Sequence, residues 1–153
     1  MFADIVGSTQ LAAEVGDQQW LKLIDRHDSA AHRLVHEHGG RVVKSTGDGM
    51  LCTFDLPAEA LACAARLHTA MAAIKLSLRI GVHTGEVERR QQDVGGLAVH
   101  LCARLCDLAG DGETLVTRTV ADVVVGSSSH FEDRGDHALR GIPGNWRLLA
   151  VRR

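Results

Sequence analysis

Aromatic residues are scarce in this chain: they make up 3%, with two Trp, three Phe and no Tyr. A core must therefore be assembled from Leu, Val, Ile and Ala, and no aromatic stands out as a platform for stacking a base. Proline is nearly absent, with two residues, and no stretch reads as a linker, a repeat or a low-complexity segment. No apolar run approaches the ~20 residues that a membrane-spanning helix needs, so no membrane partner is expected. The four cysteines, Cys52, Cys63, Cys102 and Cys106, lie in apolar patterns and form no C-x-x-C motif. Buried free thiols in a reducing compartment are the simplest expectation, ahead of a metal or disulfide role. Neither sign of charge dominates: the net is −2, which gives bulk electrostatics no reason to attract nucleic acid. The chain opens on an apolar strand with no signal-peptide pattern, and a cytoplasmic location is expected.

The 153 residues, 45% of them hydrophobic, suit a single domain over residues 1–153 that buries a core without staples. Residues 2–6 read as a short strand and 9–15 as a brief helix. Asp17 is expected to cap a longer helix over 18–38, where Leu21, Ile24, Ala31, Leu34 and Val35 recur at helical spacing. Gly39-Gly40 ends it. Val42-Val43 and residues 50–54 read as two strands of a hairpin around Asp48-Gly49. Pro57 opens an Ala-rich helix to about residue 73. Residues 76–83 alternate, with Leu76, Leu78, Ile80 and Val82 on one face, and 89–92 read as a polar loop. A helix spans 95–109, a strand 114–117, a short helix capped by Thr119 reaches 125, a short strand begins at Phe131, and a last strand covers 146–151. This order predicts an α+β layer fold with a ferredoxin-like βαββαβ core and additional C-terminal αβ elements.

Chemistry gathers at the start of the chain. Asp4 sits inside an apolar run, where a carboxylate is costly unless a bound cation or another partner compensates it. Val6, Gly7, Ser8 and Thr9 follow at a helix start, which is either an ordinary N-cap or a cradle for phosphate. Asp48 stands in the hairpin turn. It is a solvent-facing turn residue, or, if the first strand lies beside the hairpin, the second carboxylate of a magnesium or manganese site. In the helix over 95–109, Leu97, Leu101, Leu105 and Leu108 form one stripe; Ala98, Cys102, Ala103 and Cys106 supply a small-residue face. His100, Arg104 and Asp107 share another face. Such a helix is expected to be buried, and its His-Arg pair needs an anionic partner, either Asp107 or a loop carboxylate or a ligand.

Four segments in order, F-A-D-I-V-G-S-T, K-S-T-G-D-G, R-I-G-V-H-T-G-E-V and D-V-G-G-L-A-V-H-L-C-A-R, resemble the class III adenylate/guanylate cyclase catalytic domain. The closing F-E-D-R-G-D-H-A-L-R-G-I-P-G-N-W-R-L looks like the bacterial branch of that family. The resemblance spans nearly the whole chain and implies the class III nucleotide cyclase fold.

By that resemblance, Asp4 and Asp48 match the family's two metal-binding aspartates, and the backbone from Ile5 to Thr9 matches the segment that holds metal and nucleotide phosphates. Two Mg²⁺ or Mn²⁺ ions per site are implied. Lys44 matches the purine-selecting lysine and Asp93 its adenine-reading partner. The pairing suits adenine: Lys donates to ring N1, and Asp accepts from the N6 amino group. Arg104 matches the arginine that stabilises the pentavalent α-phosphate. His100 stands where the family usually has a ribose-orienting Asn. Arg140 and Arg147 are the candidates for holding the terminal phosphates. The implied activity is adenylate cyclase, a phosphorus–oxygen lyase that converts ATP to 3′,5′-cyclic AMP and pyrophosphate. The implied partner is a second copy, in an antiparallel homodimer with composite sites. One chain would give Asp4 and Asp48, the other Lys44, Asp93, His100 and Arg104. The alternative is a degenerate cyclase-like domain that binds nucleotide or serves as a regulatory dimerisation module. Relatives usually carry more strand before the Phe-x-Asp, so the first strand is expected to be short and to lose ladder bonds beside Asp4.

Overall fold

A computed structural model describes residues 1–90 and 93–152. In chain order the elements are β1 (Phe2–Ile5), α1 (Ser8–Val15), α2 (Asp17–Glu37), β2 (Arg41–Ser45), β3 (Gly49–Thr53), α3 (Pro57–Ala72) and β4 (Leu78–Val82). There follow β5 (Glu88–Arg90), β6 (Asp93–Gly95), α4 (Leu97–Leu108), β7 (Thr114–Thr117), α5 (Arg118–Val123), β8 (His130–Ala138) and β9 (Asn145–Arg152). One seven-stranded sheet runs β2-β3-β1-β4-β7-β9-β8, and β5 and β6 form a separate pair. The first four strands in that order, connected through α1–α2 and α3, are the ferredoxin-like half. The sheet is mixed, since β4 and β7 run parallel and its other neighbours antiparallel.

Alternation sorts the strands onto two faces. Ala3 and Ile5 of β1, Met50 and Cys52 of β3, and Leu78, Ile80 and Val82 of β4 are buried in one cluster. Ala31, Leu34 and Val35 of α2 and Leu61, Cys63, Ala64, Leu67 and Met71 of α3 complete it. The opposite face carries Phe2, Asp4, Arg79 and Gly81, and α4 lies across it. A Cβ at Gly81 would come within 2.5 Å of the Cys102 carbonyl and the Cys106 amide, so only glycine admits the helix at this depth. The small-residue face of α4 meets the strand there. The Cys102 thiol donates to the Gly81 carbonyl at 3.1 Å and the Cys106 thiol to the Arg79 carbonyl at 3.2 Å. All four cysteines are free and buried. Burial pushes the thiols of Cys52, Cys63 and Cys106 up to about 12, so they are poor nucleophiles at neutral pH.

Several expectations are corrected. Asp17 lies in the first turn of α2, whose cap is Gly16, and α5 is preceded by Thr117 rather than capped by Thr119. The polar loop expected at 89–92 contributes instead to the β5–β6 ladder, with Gln91 and Gln92 outside the described residues. Leu97 and Leu108 are about half exposed, so the buried stripe of α4 is Leu101, Cys102, Leu105 and Cys106. The strand at Phe131 spans 130–138, its pattern disguised by charge. Ladder bonds beside Asp4 are kept: β1 pairs on both edges, Asp4 facing Gly49 on one side and Arg79 on the other. Only one hairpin strand, β3, adjoins β1. Among the described residues, no helix is long and apolar enough to cross a membrane.

Candidate active site

The first cluster lies at the end of β1. Asp4 pairs in register with Gly49, the residue after Asp48, and the Ile5 amide donates to the Asp48 carbonyl at 3.1 Å. One carboxylate is thus carried on β1 and the other in the turn that leads into the neighbouring strand β3. A Cβ at Gly49 would lie 3.1 Å from Asp4 Oδ1 and 3.2 Å from the Ala3 carbonyl. The absence of that carbon leaves a cradle beside the carboxylate. Two carboxylates, nearby carbonyls and room for phosphate oxygens make a hard, oxygen-only donor set, which fits magnesium or manganese. No cluster of three or more metal-binding side chains occurs among the described residues.

The chain then turns at Gly7, which has φ 65° and makes no side-chain cap for α1. The first bond of that helix runs from the Leu11 amide to the Gly7 carbonyl at 2.9 Å, so the amides of Ser8, Thr9 and Gln10 have no partner four residues back. Such donors occur at every helix start and are the groups a phosphate cradle would use. Val6 is not among them, because its amide donates to the Ser77 carbonyl at 2.9 Å. Ser8 also donates its hydroxyl to Asp48 Oδ2.

The second cluster forms at the sheet's edge. Lys44 on β2 donates to Asp93 on β6, Nζ to Oδ2, at 3.0 Å across 49 positions of sequence. The Lys44 bond first, then the Val94 amide, hold the Asp93 carboxyl below its ordinary value. Lys44 lies opposite Leu51, and both Leu51 and Val94 line a cavity of about 150 Å³ with Ala98, Val99 and Cys102. Lys44 and Asp93 themselves lie outside that cavity's lining, which mixes these apolar residues with Thr53, Asp55 and Thr84.

His83 closes the cavity's far wall. Its Nδ1 meets Thr117 Oγ1 at 2.8 Å and its ring stands edge-on to Trp146, with centroids 5.8 Å apart. Burial pushes its pKa down to about 4, so the ring is neutral.

The third group stands on α4. Arg104 donates from Nη1 to Asp107 at 2.8 Å and from Nε to the Arg140 carbonyl at 3.2 Å. His100 is exposed and, among the described residues, its side chain makes no hydrogen bond. Arg147 is held by Asp133 and Asp136 of β8. No described hydrogen bond or ion pair joins Lys44, Asp93, His100 or Arg104 to Asp4 or Asp48 within the chain.

Sequence reasoning missed Arg79. Its Nε donates to Asp4 Oδ2 at 2.9 Å, and its Nη2 reaches the same oxygen. Asp4 in turn raises the guanidinium's pKa above the usual arginine value. The signal was a charged residue on the polar phase of an otherwise apolar strand, the same phase that carries Asp4 three strands earlier in the chain.

The adenylate and guanylate cyclase catalytic domain matches residues 1–150. An uncharacterised protein of Mycobacterium tuberculosis is 34% identical over 149 residues, which cover 94% of this chain and 51% of that protein. A protein of Rhizobium meliloti named putative adenylate cyclase 3 is 33% identical over 149 residues, 92% of this chain and 25% of that one. The chain thus spans about half or less of the length of these relatives. The adenylyl cyclase CyaB from P. aeruginosa superposes with a TM-score of 0.89 at 18% identity, covering 99% of this chain and 91% of that one, a likeness of fold. With the fold, the ordered motifs and the matched span in agreement, the chain belongs to the adenylate and guanylate cyclase catalytic domain family.

Proposed function

We propose that the chain is an adenylate cyclase domain that converts ATP to 3′,5′-cyclic AMP and pyrophosphate, at sites shared between two copies. The observation that carries this reading is the Lys44–Asp93 pair at 3.0 Å. Two residues 49 positions apart in sequence come together as a donor and an acceptor, which on parting from each other would meet adenine's N1 and N6 respectively. In the same ring placement guanine would turn its O6 toward a carboxylate and its N1–H toward an ammonium, so it is rejected.

Asp4, Asp48 and the Ile5 carbonyl would hold two divalent cations, which supply the charge that eases ionisation of the 3′-hydroxyl and departure of pyrophosphate. The amides of Ser8 and Thr9 would bind phosphate oxygens, with Gly7 supplying the turn and Val6 the strand end. In the reaction the ribose O3′ bonds to the α-phosphorus, the bond to the bridging oxygen of pyrophosphate breaks, and the hydroxyl proton leaves to solvent. Arg104 would turn from Asp107 to the equatorial oxygens of the α-phosphate, where a planar, permanently charged donor is worth most. His100 would orient the ribose with a single hydrogen bond. The exposed α4 face and the separation of the two residue groups within one chain support a C₂ dimer with two composite sites.

Cyclic-nucleotide formation from ATP and from GTP with Mn²⁺ tests the assignment. Cyclic AMP from ATP, lost in Asp48→Ala, is the expected result; equal turnover of GTP would sink the purine-reading role of Lys44 and Asp93. Asp48→Ala and Arg104→Ala are each expected to be inactive and to recover activity when mixed, since one site of the heterodimer keeps every group. A verified heterodimer without activity would rule out shared sites. A second reading, a nucleotide-binding dimerisation module without turnover, is favoured by His100 in place of an amide. It would show as nucleotide affinity with no cyclic product.

A further inference from the structure

We propose that the cation site of this chain is self-capped: Arg79 sits on Asp4, and Ser8 on Asp48, where a divalent cation would bind, so that these residues hold down metal affinity until nucleotide arrives. This rests on the reading of Asp4 and Asp48 as cation ligands.

The geometry of the cap is specific. Arg79 is the direct cross-strand partner of Asp4, and two of its nitrogens converge on the single oxygen Oδ2. The side chains are about a quarter and a third exposed, 24% for Asp4 and 35% for Arg79, so solvent screens the pair only in part. Arg79 is also held from behind, its carbonyl accepting the Cys106 thiol at 3.2 Å, which fixes the backbone from which the guanidinium reaches. On the second carboxylate, Ser8 Oγ donates to Asp48 Oδ2. Asp107 of α4 also acts on Arg79 and is itself engaged by Arg104.

A cation that takes Asp4 Oδ2 must displace the guanidinium. One that takes Oδ1, in the cradle left open by Gly49, must sit beside a fixed positive charge in a partly desolvated place, where like charges repel strongly. Either way Arg79 weakens metal binding in the nucleotide-free chain. A ligand that brings its own negative charge offers the guanidinium another partner and lifts the penalty. Arg79 is on this account a positioning residue that ties metal loading to the arrival of an anion.

The test is Mn²⁺ binding to the full chain without nucleotide, read as the loss of the free-ion electron paramagnetic resonance signal. Arg79→Gln, which keeps a neutral donor for Asp4, is expected to bind Mn²⁺ at least about tenfold tighter than the unmodified chain. Arg79→Lys keeps the charge and is expected to stay within about threefold. Ser8→Ala, which leaves the ion pair untouched, is expected to gain about threefold and carries the test if Arg79→Gln fails to fold. Asp4→Asn weakens binding in every background. If neither Arg79→Gln nor Ser8→Ala binds more tightly while Asp4→Asn still weakens binding, the cap is wrong and the cation site stands. If Asp4→Asn changes nothing, the cation reading falls and the cap with it.

Discussion

Asp4 and Lys44 serve the same proposed reaction from very different ground. Asp4 stands on β1, a strand bonded along both edges, with its carboxylate 24% exposed. Lys44 stands on β2, at the sheet's edge, and its partner Asp93 belongs to a separate two-stranded piece; their side chains are 48% and 54% exposed. Around Asp4, position is set by strand register, by the missing Cβ of Gly49 and by Arg79 opposite. Around Lys44, position is set by one ion pair between two exposed side chains, which contributes little to folding. On the proposed reading, the groups that would hold phosphate and metal rest on the core of the sheet. Those that would choose the base rest on a rim whose side chains contribute little to the fold.

The comparison is tested most severely where sheet and helix touch. Gly81→Ala drives a carbon to within 2.5 Å of α4 backbone, and a loss of at least about 2 kcal/mol in urea unfolding is expected. An unchanged midpoint would mean that α4 is not packed at this depth.

Acid comes next, through His83 at the end of β4. Its folded pKa of about 4 lies below the 6.5 of the free group. The folded chain therefore keeps the ring neutral, while the unfolded chain takes up a proton as pH falls below 6.5. Stability is full above that value, declines toward pH 4 and declines no further from this cause below it. Between pH 7 and pH 5 the loss from His83 is expected to be on the order of 2 kcal/mol. His83→Asn should be less stable at neutral pH but should show a smaller drop over that interval. An equal drop in both proteins would assign the acid sensitivity to other groups.

Gly49→Ala is expected to cost about 1 kcal/mol in stability, because the nearest atom, Thr46 Oγ1 at 2.9 Å, can move aside. Its larger effect should be on metal, since the new carbon presses on Asp4; Mn²⁺ affinity measured without nucleotide should fall. The smallest stability effect is expected at the rim. Lys44→Ala should leave unfolding within about 0.5 kcal/mol of the parent while eroding the preference for ATP over GTP. A large loss of stability there would break the contrast between core and rim.

Much of this was legible beforehand. The strands that face the core announce themselves by alternation, as at Leu76 to Val82, and the hairpin by Asp-Gly between apolar runs. Asp4 was conspicuous because a carboxylate in an apolar strand demands a partner. Other features were hidden for identifiable reasons. β8 is an edge strand laced with Glu132, Asp133, Arg134 and Asp136, so charge masks its period. β5 and β6 are too short to show one. Helical spacing grouped Leu97 and Leu108 with Leu101 and Leu105, but spacing says only which side chains share a face; how wide a strip the sheet covers depends on its neighbours.

The sequence by itself determined which residues are apolar in which period, where the glycine turns fall, and where carboxylates interrupt them. Those are local properties, fixed by backbone geometry and by the cost of burying charge. Tertiary structure decided which strand lies beside which. Cross-strand hydrogen bonds between β1 and β4 placed Arg79 opposite Asp4, and the packing of the separate β5–β6 pair beside β2 brought Asp93 to Lys44, joining segments that no local pattern relates.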